Sequence, residues 1–311
     1  MVTQTIHFFN KPMPGKLPKK TARALLDVED ASIVPVIRNP QLPAAEEKKE
    51  AVFYFPGCGS ERLFSQVGLA TQAMLWHVGT TTVLPPGYLC CGYPQSSVGD
   101  EDKGNKITTE NRVLFHRVAN TLNYLDIKTV IVSCGTCMDQ LLKYQFEQIF
   151  PGCRLLDIHE YLLEKGLKLE GVTGTRYMYH EPCHTPMKQY KGIEVANQLM
   201  GSKVDLNDRC CGESGSFGIS KPQISTQVRF RKQEEMEKGA AKLREESGSE
   251  VPVKVLTSCP SCLQGLHRYD DDAGTDADYI VVEMAKHILG ENWMPEYVEK
   301  ARHGGIERVL L

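Results

Sequence analysis

The sequence predicts an α/β protein of two duplicated, Rossmann-like βα units, each with a parallel sheet and a cysteine site at the carboxyl ends of its strands. Three observations carry this. Short β-rich runs alternate with helical patterns. Cysteine-bearing segments recur at a near-constant offset: 125 residues from Cys58 to Cys183, 125 from Cys134 to Cys259, and 120 from Cys90 to Cys210. Each cysteine group also follows a β-rich run. The division expected is a Pro-rich arm or linker at 1–50, a first unit at 51–170, a second at 171–290, and a C-terminal tail at 291–311.

The arm holds Pro12, Pro14, Pro18, Pro35, Pro40 and Pro43 and ends in the charge run EEKKE, with one short helix expected near Ala22–Val28. AVFYF is the first strand and leads to Cys58. A helix follows, with Val67, Ala70, Met74, Leu75 and Val78 on one face. TTVL is a strand before Cys90 and Cys91, and Leu114, Val118, Leu122 and Leu125 mark the next helix. TVIV is a strand ending at Cys134, and MDQLLKYQFEQIF after Cys137 reads as helix. The second unit repeats the order: RYMYH, helical GIEVANQLM, KVDL, a long charged helix over 222–247, and VKVL before Cys259. WMPEYVEKARHGGIERVLL is a tail whose apolar residues are candidates for docking on a partner.

Composition narrows the chemistry. The 311 residues carry a net charge of -3, so no basic footprint points to nucleic acid. No apolar run reaches the length of a membrane span, and the N-terminus has no apolar core of a secretory signal. A cytoplasmic protein is expected, reaching a membrane only through a partner. In that reducing compartment eleven cysteines read as metal ligands or redox groups rather than disulfides.

Ten of the eleven fall into two sets: Cys58, Cys90, Cys91, Cys134 and Cys137, then Cys183, Cys210, Cys211, Cys259 and Cys262. The spacing is C-x31-CC-x42-CxxC, then C-x26-CC-x47-CxxC. Thiolates are soft anionic ligands suited to iron–sulfur clusters and zinc. A tetrahedral zinc needs four ligands, and five per unit overshoot it, so a multi-iron cluster fits better and zinc is the alternative. Gly92, Gly212, Gly215 and Gly218 follow the vicinal pairs. They either let backbone N–H groups approach the sulfurs or simply form the turns.

FPGC, CCGYP and SCGTC, then YHEPCH, CCGESGSFG and TSCPSC, resemble the signatures of the cysteine-rich CCG-domain family. That family includes a subunit of heterodisulfide reductase, the iron–sulfur subunits of glycolate oxidase and anaerobic glycerol-3-phosphate dehydrogenase, and lactate-utilisation protein A. The resemblance covers about residues 51–290. It implies two four-iron, four-sulfur clusters of a non-cubane kind, one on each set of five cysteines. It also implies a flavoprotein or a ferredoxin-type iron–sulfur subunit as partner. Both spacings from the vicinal pair to CxxC are longer than is usual in the family, and the one from Cys183 to Cys210 is shorter. No C-x2-C-x2-C-x3-C run and no GxGxxG after a strand are present. Hydride chemistry and a cubane relay are therefore expected on other polypeptides or elsewhere in a larger fused chain.

The weaker catalytic candidates are His180, Glu181, His184 and Glu213, as proton donors near the second set, against plain packing or hydrogen-bonding roles. His159 reads as structural and Cys153 as an inert thiol. The function expected is an iron–sulfur redox subunit or domain carrying electrons between a flavoprotein of the 2-hydroxy-acid type and an acceptor. The alternatives are a disulfide or heterodisulfide reductase that uses two clusters, and a zinc-stabilised interaction module without redox chemistry.

Overall fold

The computed structural model describes residues 18–42, 50–212 and 217–311. The chain enters through α1 (Ala22–Leu26), capped by the Thr21 hydroxyl accepting from the Ala24 N–H, and continues into β1 (Ile33–Ile37). The first unit then runs β2 (Glu50–Phe55), α2 (Ser65–His77), β3 (Thr81–Val83), α3 (Tyr93–Ser97), α4 (Glu101–Thr121), β4 (Asp126–Val132), α5 (Gly135–Leu141), β5 (Arg154–Asp157) and α6 (Ile158–Glu164). The second runs β6 (Arg176–His180), α7 (Gly192–Met200), β7 (Val204–Leu206), α8 (Phe217–Ser220), α9 (Pro222–Ser247), β8 (Val253–Thr257), α10 (Pro260–His267), α11 (Asp270–Ala273), β9 (Thr275–Tyr279) and α12 (Ile280–Leu289). The chain closes with α13 (Trp293–Lys300) and β10 (Ile306–Leu310).

Strand order is β10-β1-β3-β2-β4-β5 in the first sheet and β7-β6-β8-β9 in the second. All pairings in the second sheet are parallel, as are those among β3, β2, β4 and β5. The two units thus share one topology. In each, the first strand is central and the next two lie on opposite sides of it, which opens a crevice at the strand carboxyl ends. This is the expected α/β class with parallel sheets.

Three expectations change. Residues 33–37, read as part of an arm, are an antiparallel strand of the first sheet between β3 and β10, with all five residues buried. Their sequence, IVPVI, is a continuous apolar run, and Pro35 interrupts the pattern that would have marked it as strand. The tail, read as docking on a partner, docks on its own chain. Trp293, Tyr297 and Ala301 are buried, and the Tyr297 ring stands edge-on to Trp76 of α2 at 5.9 Å. The helix after Cys137 is shorter than its pattern. It ends at Leu141, and short 3-10 turns follow on either side of Gln145, which sits at φ 53. That break turns Tyr144 and Phe146 inward onto Phe115, beneath the first cysteine group.

One core joins the units. It includes Tyr54 and Ile131 of the first sheet, Tyr179 and Val255 of the second, and α2 and α12 between them. A second core, around Phe53, Phe55, Phe115 and Phe150, lies under the first sheet and takes in Val34 and Val36 of β1.

Candidate metal centre

Each cysteine group is delivered by strand ends. Cys58 lies three residues beyond β2, Cys90 and Cys91 follow β3, and Cys134 is the N-cap of α5 with Cys137 in that helix's first turn. The second unit repeats this from β6, β7 and β8, with Cys259 as N-cap of α10 and Cys262 inside it. No disulfide forms among the eleven cysteines.

The ten thiols form one continuous string of interacting neighbours. Cys58 contacts Cys90, Cys90 contacts Cys91, Cys91 contacts Cys137, and Cys137 contacts Cys134. Cys134 then contacts Cys259 of the other unit, and the string runs back through Cys262, Cys211, Cys210 and Cys183 in the mirrored order. The spacing alone reads as two separate groups; the fold makes them meet at the Cys134–Cys259 seam.

Crowding sets the electrostatics. The hydrogen bond from Cys58 pulls Cys90 down to about 3, and that from Cys183 pulls Cys210 down to about 2. Their partners Cys58 and Cys183 rise in consequence. At the seam Cys134 is held well below the usual thiol range by hydrogen bonds from Cys137 and Cys259, while Cys259 is pushed up to about 12. Cys137 and Cys262, each between two other thiols and fully buried, go up strongly. Such a set cannot ionise in full by itself, because buried like charges at contact distance repel. Bound soft cations would remove that penalty, so the donor set fits a thiolate-ligated metal group.

A symmetric polar frame holds the string. Tyr54 bonds the Ser133 hydroxyl at 2.7 Å, and Tyr179 bonds that of Ser258 at 3.1 Å. Tyr144 donates to the Cys91 carbonyl at 2.9 Å, and Tyr269 donates to that of Cys211 at 3.0 Å. Tyr279 reaches the carbonyls of Ser133 at 2.8 Å and Ser258 at 2.6 Å, tying the two strand ends together. The Gly92 N–H approaches Cys90 Sγ at 3.5 Å and the Gly212 N–H approaches Cys210 Sγ at 3.4 Å, both glycines at positive φ. Sequence reasoning passed over the tyrosines and serines. Yet Tyr54 and Tyr179, Ser133 and Ser258, and Tyr144 and Tyr269 all stand 125 residues apart, so the cysteine offset applied to every position would have found them.

The remaining candidates separate clearly. His180 is fully buried at the end of β6, and one of its ring nitrogens lies within 4.8 Å of Cys211 Sγ and Cys262 Sγ. Burial and the nearby Lys232 push its pKa down to about 3. His184 is on the rim, 42% exposed, with Nε2 at 2.9 Å from the Tyr93 hydroxyl and Nδ1 at 2.5 Å from Asp139 Oδ2. Lys188 closes on Asp139 at 2.8 Å. This Tyr93–His184–Asp139 row crosses the seam and was not foreseen. Glu181 is half-buried behind the second group, where burial raises its pKa. Glu213 and Gly215 lie outside the described residues, and Gly218 is on α8. Cys153 is half-buried and outside the string, its thiol raised to about 11 by burial. His159 is buried, with Nδ1 at 2.6 Å from Asp157 and Nε2 accepting from the Val281 N–H at 3.2 Å, so it ties the first unit to α12. Among the described residues no helix is long and apolar enough to cross a membrane.

Two successive βα units, each presenting C, CC and CxxC at its strand ends, define a protein class, and this chain belongs to it: the cysteine-rich domain family CCG matches residues 52–142 and again 177–267. Residues 267–311 match a domain of unknown function, DUF3400. The chain is 26% identical over 222 residues to an uncharacterised iron–sulfur protein of Methanococcus maripaludis, covering 70% of this chain and 41% of that protein. It is 26% identical over 255 residues to a fumarate reductase (CoM/CoB) subunit of Methanothermobacter marburgensis, covering 79% and 46%. It is 25% identical over 240 residues to lactate utilization protein A of an Exiguobacterium species, covering 70% and 90%. The chain thus spans less than half the length of the first two.

Proposed function

We propose that this chain is an iron–sulfur redox subunit or domain that passes electrons between a flavoprotein oxidoreductase and an acceptor. The observation that carries the reading is the single string of ten thiols, in which two five-cysteine groups abut at Cys134 and Cys259. The relatives named as iron–sulfur protein and as a fumarate reductase subunit support it. Cys58, Cys90, Cys91, Cys134 and Cys137 would hold one cluster, and Cys183, Cys210, Cys211, Cys259 and Cys262 the other. Bound there, the clusters would supply one-electron acceptance without bond making. The chain's own part is to hold ten sulfurs fixed, to donate backbone N–H groups from Gly92 and Gly212, and to exclude water around Cys134, Cys137, Cys259 and Cys262, all buried. The electron donor on this reading is a flavoprotein that oxidises a 2-hydroxy acid or similar compound. Eleven cysteines outside any disulfide suit a reducing cytosol.

The test is metal and sulfide analysis after anaerobic reconstitution, with about four irons and matching sulfide per unit expected. Zinc at each group with no sulfide would refute the reading.

A second reading, disulfide reduction, draws on the Tyr93–His184–Asp139 row, which sets hydroxyl and imidazole groups on the exposed rim of the seam. The relay is favoured because Cys134 and Cys259, where the two groups meet, are buried, while only the outer end of the string, at Cys183, is exposed. The isolated chain, reduced by an artificial donor, is therefore expected not to turn over low-molecular-weight disulfides. Steady turnover that is lost in His184→Ala with iron retained would establish the second reading.

A further inference from the structure

The two cysteine groups share a frame but not a charge environment. At the position of His180 the first unit has Phe55, 125 residues earlier. On the helix that follows each vicinal pair, Lys232 of α9 stands 21 residues after Cys211, and Asn111 of α4 stands 20 after Cys91. Both second-unit residues are fully buried. Lys232 Nζ donates to the carbonyls of Asn207 at 3.0 Å and Asp208 at 2.6 Å and to Asn207 Oδ1 at 2.5 Å, and it lies 3.1 Å from His180 Nδ1. The buried ammonium is thus locked beneath the loop that carries Cys210 and Cys211. An ammonium beside Nδ1 can accept no hydrogen from it, so the neutral ring carries its hydrogen on Nε2. That Nε2 is buried and has no hydrogen-bond partner among the described residues. The ring lies against Cys211 and Cys262. In the first unit Asn111 makes neutral bonds instead, to the Cys90 carbonyl at 2.8 Å and the Tyr144 hydroxyl at 2.9 Å. Phe55 and Phe53 pack there around Phe115.

We propose that His180 and Lys232 form a tuning pair that makes the second cysteine group the electron-accepting one, at a higher reduction potential than the first. The proposal rests on the iron–sulfur reading above. An arriving electron adds one negative charge and breaks no bond. A buried cation and an imidazole beside the group stabilise that charge, and a ring of phenyl groups does not. With clusters bound, one electron would pass from the cluster held by the first group, oxidising it, to the cluster held by the second, reducing it, with no proton required. In the partly reduced chain the electron rests on the second group.

The test is a dye-mediated redox titration of the reconstituted full chain, with dithionite as reductant, followed by electron paramagnetic resonance. Signals are assigned with the single variants Cys90→Ser and Cys210→Ser. In the wild type the second group is expected to reduce first. Lys232→Gln keeps hydrogen-bond donors and removes the charge. His180→Phe copies the first unit. Each should lower the second group's reduced-to-oxidised ratio at a fixed potential at least tenfold, equivalent to 59 mV for one electron, and leave the first group's unchanged. Lys232→Arg should restore the wild-type ratio. Iron-loaded Lys232→Gln or His180→Phe with an unshifted second group overturns the proposal, as does an equal shift at both groups. A wild-type chain that takes up no iron fails the underlying reading instead, and is recognised before any titration.

Discussion

Gly135 is where the seam is tightest. A Cβ built on it would stand 1.5 Å from the backbone oxygen of His184, in the other unit. Real Cβ atoms essentially never stand within 3.0 Å of such an atom, so in Gly135→Ala one unit must recede from the other by roughly 1.5 Å. The obstacle is backbone, so no side-chain rotation relieves it. Overpacking costs about 1–3 kcal/mol, and this case falls at the upper end. Alanine returns up to about 1 kcal/mol as a better helix former at the start of α5. The net expectation is a loss of about 2 kcal/mol, read as a lower midpoint in urea. Because the movement separates Cys134 from Cys259, iron retention should fall at both groups together. Gly59 provides the control at the same seam. Its added Cβ would meet Pro260 Cβ at 3.6 Å, an ordinary contact. Gly59→Ala is therefore expected within about 0.5 kcal/mol of wild type. Equal midpoints and equal iron contents for the two variants would refute the reasoning.

Cys90→Ser and Cys210→Ser, each away from the seam, should reduce the iron of their own unit only, whereas Cys259→Ser should disturb both, as metal analysis of each variant will reveal. Tyr144→Phe and Tyr269→Phe each strip the donor from a cysteine carbonyl. Each should cost about 1–2 kcal/mol in denaturant titration and alter the visible spectrum of its own group alone. Glu283, almost fully buried, takes Lys254 at 2.6 Å and the Tyr177 hydroxyl at 2.9 Å. Burial works to raise its pKa, but these partners hold it below the ordinary glutamate value. Its stabilisation is therefore present above the unfolded pKa of about 4.3 and lost as pH falls through the lower folded value. Lys254→Met should destabilise by about 1–3 kcal/mol at pH 7, discounted because Lys254 is 21% exposed. The gap to wild type should narrow below about pH 4, and a gap independent of pH would rule out this role for the pair.

Local elements and the repeat were legible in the order of residues. RYMYH, GIEVANQLM and residues 222–247 are strand, helix and helix over the same residues. That follows because β-branched and aromatic runs and helical periodicity are local properties. The cysteine spacing was legible for the same reason: it is covalent order along one chain. β5 and β9 were overlooked, being short strands directly ahead of helices, with polar residues such as Arg154 and Asp276.

Whatever depends on distant segments meeting was settled in the packed fold. β1 pairs with β10 from the far end of the chain, and neither is strand-like until the other covers it. The Cys134–Cys259 contact, the Tyr279 bridge to Ser133, and the Tyr93–His184–Asp139 row all join residues of different units. Lys232 is the clearest case. In the sequence it is one cation within a long charged helix, the usual mark of a solvated face. In the fold it is fully buried, and hydrogen bonds to three oxygens of Asn207 and Asp208 offset its desolvation. Burial and electrostatic environment are properties of the packed molecule, set by which surfaces meet rather than by the order of residues along the chain.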